Sequence, residues 1–162
     1  MSRTTVLDLK VGETELMFVG TFQHTIDDKG RLTLPAKWRD ELESELAVTF
    51  GLDDCLFVFI KSKFQTMAEK VVAQGFQTSN ARDWARYILG NAEMVEMDKQ
   101  GRILISQTLR TKFGLNGEVM VVGLYDRFEI WEPKKHQAML ERITSEPAAI
   151  AERMDDMMRS AK

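Results

Sequence analysis

The stretch Asp27-Asp28-Lys29-Gly30-Arg31-Leu32-Thr33-Leu34 recurs in altered form later in this chain. Set over Asp98-Lys99-Gln100-Gly101-Arg102-Ile103-Leu104-Ile105, it matches at Asp, Gly and Arg and keeps Leu32 over Ile103 and Leu34 over Ile105. The same offset persists further on, since Arg39 stands over Arg110. After one extra residue in the second copy, Gly51-Leu52 aligns with Gly123-Leu124, Leu56 with Phe128, and Val58-Phe59 with Ile130-Trp131. Identities that hold at one fixed spacing and fall on turn residues mark an internal duplication.

Each copy reads as strand, turn, strand, short helix and hairpin. Phe22, His24 and Ile26 alternate before the first turn and Leu32 and Leu34 after it, which is the period of a half-buried antiparallel pair. A short helix is expected from Pro35, with Trp38 and Leu42 on one face. In the second copy Ser106 is placed to cap a helix that buries Leu109 and Phe113, and Gly114 to end it in a left-handed turn. Further strands are expected at 47–50, 56–60, 119–122 and 127–131.

Between the copies, Ser62 and Gln65 fit a capping box. A second helix over 80–89 carries Trp84, Ile88 and Leu89 on one stripe before Gly90. Pro133 and Pro147 each stand where a helix can start, and Met139, Leu140 and Ile143 supply an apolar face. Residues 1–16 show no period and read as an N-terminal extension.

Within Asp-x-x-Gly-Arg the aspartate can accept bonds from backbone N–H groups of the turn, and glycine can take the positive φ that other residues resist. Asp27, Gly30, Asp98 and Gly101 are therefore the turn-structuring set. Arg31 and Arg102 leave the turns as planar forks of donors, suited to a phosphate or to the O6/N7 edge of guanine. The same arginines can also pair with the aspartates of their own turns. Lys29 and Lys99 add charge beside them, whereas Arg39 and Arg110 are expected on a helix face turned towards acidic residues.

The 162 residues suffice for a hydrophobic core, and 44% hydrophobic with 29% charged residues is an ordinary globular composition. A net charge of −3 argues against coating nucleic acid or anionic membrane by bulk charge, so any such contact is local. Sign is segregated accordingly. Lys99, Arg102, Arg110 and Lys112 occur in a stretch without acids, while Asp40, Glu41, Glu43, Glu45, Asp53 and Asp54 occur in one without bases. No apolar run approaches the roughly 18 residues of a membrane span, and the N-terminus lacks a leader pattern. The single cysteine, Cys55, beside the apolar run Leu56–Ile60, reads as structural and suits a reducing compartment.

Catalysis finds little support. His24 and His136 lie near opposite ends of the chain, and no His/Cys cluster has zinc-site spacing. There is no nucleophile elbow and no phosphate-cradling loop. Asp27, Asp28 and Asp98 could form a carboxylate set, but turn aspartates of this kind are usually structural. The expectation is a non-enzymatic protein without catalytic residues, metal, cofactor or small-molecule substrate.

Beyond the two turns, Met17-Phe18-Val19-Gly20, Leu89-Gly90, Val121-Val122-Gly123 and Phe128-Glu129-Ile130-Trp131 resemble the MraZ family of bacterial regulators associated with the division and cell-wall gene cluster. The resemblance covers about residues 17–143. It implies an α+β, β-rich fold of two AbrB-like units, of the swapped-hairpin or double-psi-like barrel kind, in a pseudo-twofold arrangement with a helical spacer and C-terminal helices. The expected boundaries are 1–16 for the extension, 17–61 for the first repeat, 62–90 for the spacer, 91–132 for the second repeat and 133–162 for the helical end. It further implies a cytoplasmic, nucleoid-associated protein that assembles into a ring-like homo-oligomer. That assembly would bind double-stranded DNA at short tandem promoter repeats through Arg31 and Arg102, with Lys29 and Lys99 beside them. The alternative is an interaction scaffold or antitoxin-like module on the same fold. Ser106 stands where the first copy has Pro35, a departure that allows the two units to present their arginines differently.

Overall fold

The computed structural model describes residues 17–40 and 42–162, so the N-terminal extension lies outside the described residues. The chain divides between Glu132 and Pro133 into two compact units. The first is built on a single eight-stranded antiparallel sheet, and the second is a pair of helices.

The first copy contributes β1 (Phe18–Ile26), β2 (Arg31–Thr33), the one-turn helix α1 (Ala36–Arg39), β3 (Glu45–Phe50) and β4 (Leu56–Ile60). Helices α2 (Lys61–Ala73) and α3 (Ser79–Ile88) follow. The second copy repeats the pattern with β5 (Glu93–Glu96), β6 (Arg102–Leu104), α4 (Gln107–Phe113), β7 (Gly117–Tyr125) and β8 (Phe128–Trp131). In the second unit α5 (Pro133–Ser145) and α6 (Pro147–Ser160) each begin on the expected proline. No helix among the described residues is long and apolar enough to cross a membrane.

The strands run in the order β5-β3-β4-β8-β7-β1-β2-β6, and β5 and β6 lie side by side, so the sheet curls into a nearly closed barrel. Exchanging each strand for its counterpart in the other copy reproduces the same cyclic order. The barrel therefore has a pseudo-twofold axis, and on such an axis equivalent residues face each other. They do so twice: Leu32 opposite Ile103 where β2 meets β6, and Phe57 opposite Glu129 where β4 meets β8.

The two copies are threaded through one another rather than docked side by side. β1 pairs with β2 only at Ile26 and Leu32, whereas its ladder with β7 of the other copy runs the whole length of both strands, from Phe18–Tyr125 to Ile26–Gly117. The alternation around the first turn thus marks a strand whose main partner lies in the second repeat, not a local hairpin. The core explains the preference. Phe18, Leu32, Leu34, Leu46, Val48, Ile103, Ile105, Leu109, Val119, Val121 and Phe128 form one buried cluster drawn from both copies, and neither copy could close it alone. Trp38 packs against Phe18, Phe22 and Phe128 with ring centroids 5.0–5.3 Å apart.

Three local expectations are corrected. Helix α1 ends at Arg39, so Leu42 reaches the core from beyond the helix and not from an i, i+4 stripe. The Ser62–Gln65 capping box does not form: α2 starts at Lys61 with Ile60 at its N-cap, and the Ser62 hydroxyl donates to Glu43 instead. The alignment of the hairpins slips by one residue. Phe50 faces Leu56 as Gly123 faces Phe128, so the counterpart of Gly123 is Phe50 and not Gly51. The cause is loop length. Gly51 and Cys55 close a three-residue loop with Asp53 and Asp54 at positive φ, whereas Leu124 and Arg127 close a two-residue loop with Tyr125 at positive φ.

Candidate nucleic-acid interface

The two turns fold alike, bond for bond. In the first, Asp27 Oδ1 accepts from Lys29 N at 3.0 Å and Arg31 N at 2.9 Å, and Oδ2 accepts from Arg31 Nε at 2.8 Å. In the second, Asp98 Oδ1 accepts from Gln100 N at 2.9 Å and Arg102 N at 3.0 Å, and Oδ2 accepts from Arg102 Nε at 2.8 Å. Backbone bonds close both loops, from Gly30 N to the Asp27 carbonyl and from Gly101 N to the Asp98 carbonyl, each 3.0 Å. Gly30 has φ +86° and Gly101 φ +76°, as the turn geometry requires. Each carboxylate thus collects two backbone N–H groups and one guanidinium, and the Arg backbone N–H is the foremost of the influences holding both acids below their ordinary values.

These turns meet. β2 and β6 pair with Arg31 opposite Leu104, Leu32 opposite Ile103 and Thr33 opposite Arg102. The Leu34 N–H donates to the Gly101 carbonyl at 2.9 Å and the Ile105 N–H to the Gly30 carbonyl at 2.8 Å. Those bonds alternate with the pairs that hold the arginines, so the arginine pairs are the closer, non-hydrogen-bonded kind, with Cα atoms about 4.5 Å apart. Leu32 and Ile103 point inward and are buried, so Arg31, Thr33, Arg102 and Leu104 share the outward face. Arg31 and Arg102 are diagonal neighbours there, about 7–8 Å apart at Cα. Their side chains are 34% and 28% exposed, and the described residues give neither a second carboxylate. Each Nε is committed to its aspartate, which sets the direction of the guanidinium and leaves its far edge as the donor pair for a ligand.

Lys29 and Lys99 are exposed on the turns, and Lys37 and Lys112 are exposed on α1 and α4. Because β2 pairs with β6, the basic residues of the two turns flank one ribbon although they lie far apart in the chain.

Two functional-looking residues turn out to hold the turns together. Arg39 Nε donates to the Leu34 carbonyl and Arg110 Nε to the Ile105 carbonyl, each at 2.9 Å. Arg39 lies against Gly101 of the other copy, and Arg110 against Gly30. They are not turned towards the acidic stretch. Their shared offset was the visible signal; the crossed contact was not.

At the far end, Cys55 is fully buried and donates to the Leu52 carbonyl at 3.0 Å, and burial pushes its thiol up, with the Glu129 carboxylate adding to the effect. It is structural. Among the described residues no group of three or more His, Cys, Asp or Glu is placed to hold a metal ion.

With that geometry in place, comparison with known proteins is decisive. The family model described as "MraZ protein, putative antitoxin-like" matches residues 17–87 and again residues 88–158. The chain belongs to the MraZ family. Each match contains the strands of one copy, and the second runs on into the C-terminal helices. The protein is also 40% identical to the transcriptional regulator MraZ of Thermomicrobium roseum over 138 residues, 85% of this chain and 97% of that one. It is 40% identical to the protein of the same name from Moorella thermoacetica over 140 residues, covering 86% and 98%. With the one from Saccharopolyspora erythraea it shares 43% identity over 125 residues, covering 77% and 87%. The MraZ relatives carry the name of a transcriptional regulator and not of an enzyme.

Proposed function

We propose that this MraZ-family regulator binds double-stranded DNA in a sequence-specific way through the paired strands β2 and β6. The observation that carries the reading is the convergence of Arg31 and Arg102. Two copies of one motif, far apart in the chain, place their guanidinium groups on the same outward ribbon, each held by its own aspartate. A two-stranded ribbon fits the major groove of B-DNA, where an arginine fork matches guanine O6/N7. Lys29 and Lys99 on the flanking turns are suited to phosphates.

The functional form under this proposal is a ring-like homo-oligomer on short tandem repeats upstream of the division and cell-wall cluster, within the nucleoid. One subunit offers few cations, and the observed constant falls by about 0.9 logarithmic units per neutralised phosphate for each tenfold rise in salt. Several subunits on one duplex multiply weak contacts through effective concentration. Met17, Val19 and Leu124, exposed on one face at the end of the β1–β7 ladder, are suited to contact between copies.

The test is an electrophoretic shift on DNA upstream of this protein's own gene, with sedimentation run in parallel. Arg31→Ala and Arg102→Ala are each expected to abolish the shift and to leave the sedimenting species unchanged. Shifts unaltered in both variants would refute the reading.

A further inference from the structure

Among the outward-facing residues of β2 and β6 the twofold relation fails at one pair, while on the flanking turns Asp28 and Lys29 stand over Lys99 and Gln100. Arg31 and Arg102 are equivalent, and beneath them Leu32 and Ile103 are equally apolar; the remaining pair is Thr33 and Leu104. Leu104 is 53% exposed, on the floor between the two arginines and directly opposite Arg31. On the adjoining strand β5, the exposed Glu96 stands where β1 has Thr25.

We infer that Leu104 sets the polarity of the protein on DNA by packing against the 5-methyl group of a thymine on the major-groove floor. The inference rests on the DNA-binding reading above and adds the apolar contact that one strand of the ribbon has and the other lacks. A strictly twofold ribbon would bind a half-site and its inverse equally well, so each subunit would dock in two orientations. Thymine's methyl is the one apolar feature of the major-groove code, whereas a threonine hydroxyl can serve either kind of base. A branched apolar side chain held beside Arg31 in a close, non-hydrogen-bonded pair reaches the base step next to the one that the guanidinium reads. Such asymmetry suits repeats arranged head to tail, because every subunit must then lie the same way round.

The experiment uses the full-length chain. Duplexes are selected from a random pool with the parent, with Leu104→Ser and with Arg31→Ala, and each thymine of the recovered site is then replaced by deoxyuridine, which removes only the methyl. The parent is expected to recover an asymmetric site in which one thymine-to-deoxyuridine change weakens binding about fourfold, the worth of one buried methyl. Leu104→Ser is expected to lose that single dependence, to discriminate the site from its inverse less than the parent does and to melt as the parent does, since the side chain is half exposed. Enrichment by the parent with no methyl-sensitive thymine, or with the same sensitivity in Leu104→Ser, overturns the role of Leu104 and leaves the arginine reading intact. No enrichment by the parent, or equal enrichment by Arg31→Ala, overturns the arginine reading and this inference with it.

Discussion

The Arg39 side chain packs on Gly101, a residue of the opposite copy's turn, and would lie with its Nε 2.7 Å from any Cβ placed there. Its counterpart Arg110 covers Gly30 in the same crossed manner. Each turn is therefore clamped by a helix of the other repeat, and the two motif arginines are positioned jointly.

This crossed clamp makes the two glycines unequal. A Cβ on Gly30 would meet the Ile105 carbonyl oxygen at 2.8 Å as well as Arg110, and backbone cannot step aside; the first atoms a Cβ on Gly101 would meet belong to the flexible Arg39 side chain. Both positions also bear the cost of a positive φ, about 1–2 kcal/mol. Gly30→Ala should cost about 3 kcal/mol and Gly101→Ala about half that, as read from urea denaturation. Adding Arg39→Ala to Gly101→Ala should recover part of the loss, and a strictly additive double variant would contradict the contact.

A second expectation concerns pH. Asp27 and Asp98 titrate below the ordinary 3.8, first because the Arg31 and Arg102 backbone N–H groups bond their charged forms. Their contribution to stability is therefore present above about pH 4 and is lost as pH falls through the lowered folded values. Carboxyl-carbon NMR across an acid titration should place both midpoints under 3.8 and close together, given the matching bond sets. A midpoint at or above that value for either aspartate would count against the turn geometry.

The thiol of Cys55 should be inert in the folded protein. It is enclosed, bonded to the Leu52 carbonyl and pushed towards the protonated form by burial, and it is the thiolate that reacts. Labelling with a chromogenic disulfide at neutral pH is expected to proceed only as fast as the protein opens. Rapid labelling of the native state would rule this out.

Leu32 and Ile103 face each other on the pseudo-twofold axis directly beneath the motif arginines, and both are buried. Truncating either to alanine should cost about 2–5 kcal/mol. Because the two side chains share one site, the double variant should cost less or more than the sum by about 0.5–3 kcal/mol. Thermal unfolding of the four proteins in the cycle measures this, and full additivity would argue against the axis pair.

Much of the architecture was legible in the chain because the decisive interactions are local. An aspartate bonding the N–H groups that follow it, a glycine at positive φ and an arginine returning to that aspartate all lie within one turn, so Asp27–Arg31 and Asp98–Arg102 announced their own geometry. The same holds for Ser106 capping α4 and for Gly114 ending it. Where a competing partner lay far off in sequence, local reading failed, as when Ser62 chose Glu43 over its own helix.

What the chain determined by itself is the duplication, the two rigid turns and the residues they carry, since each follows from backbone sterics and short-range hydrogen bonds. Tertiary structure alone decided that β1 runs along β7, that β2 meets β6, and that Arg39 and Arg110 cross over to the opposite turns. Those choices follow from closing one apolar core out of two incomplete halves, a condition on the whole molecule that no repeat spacing or residue period encodes.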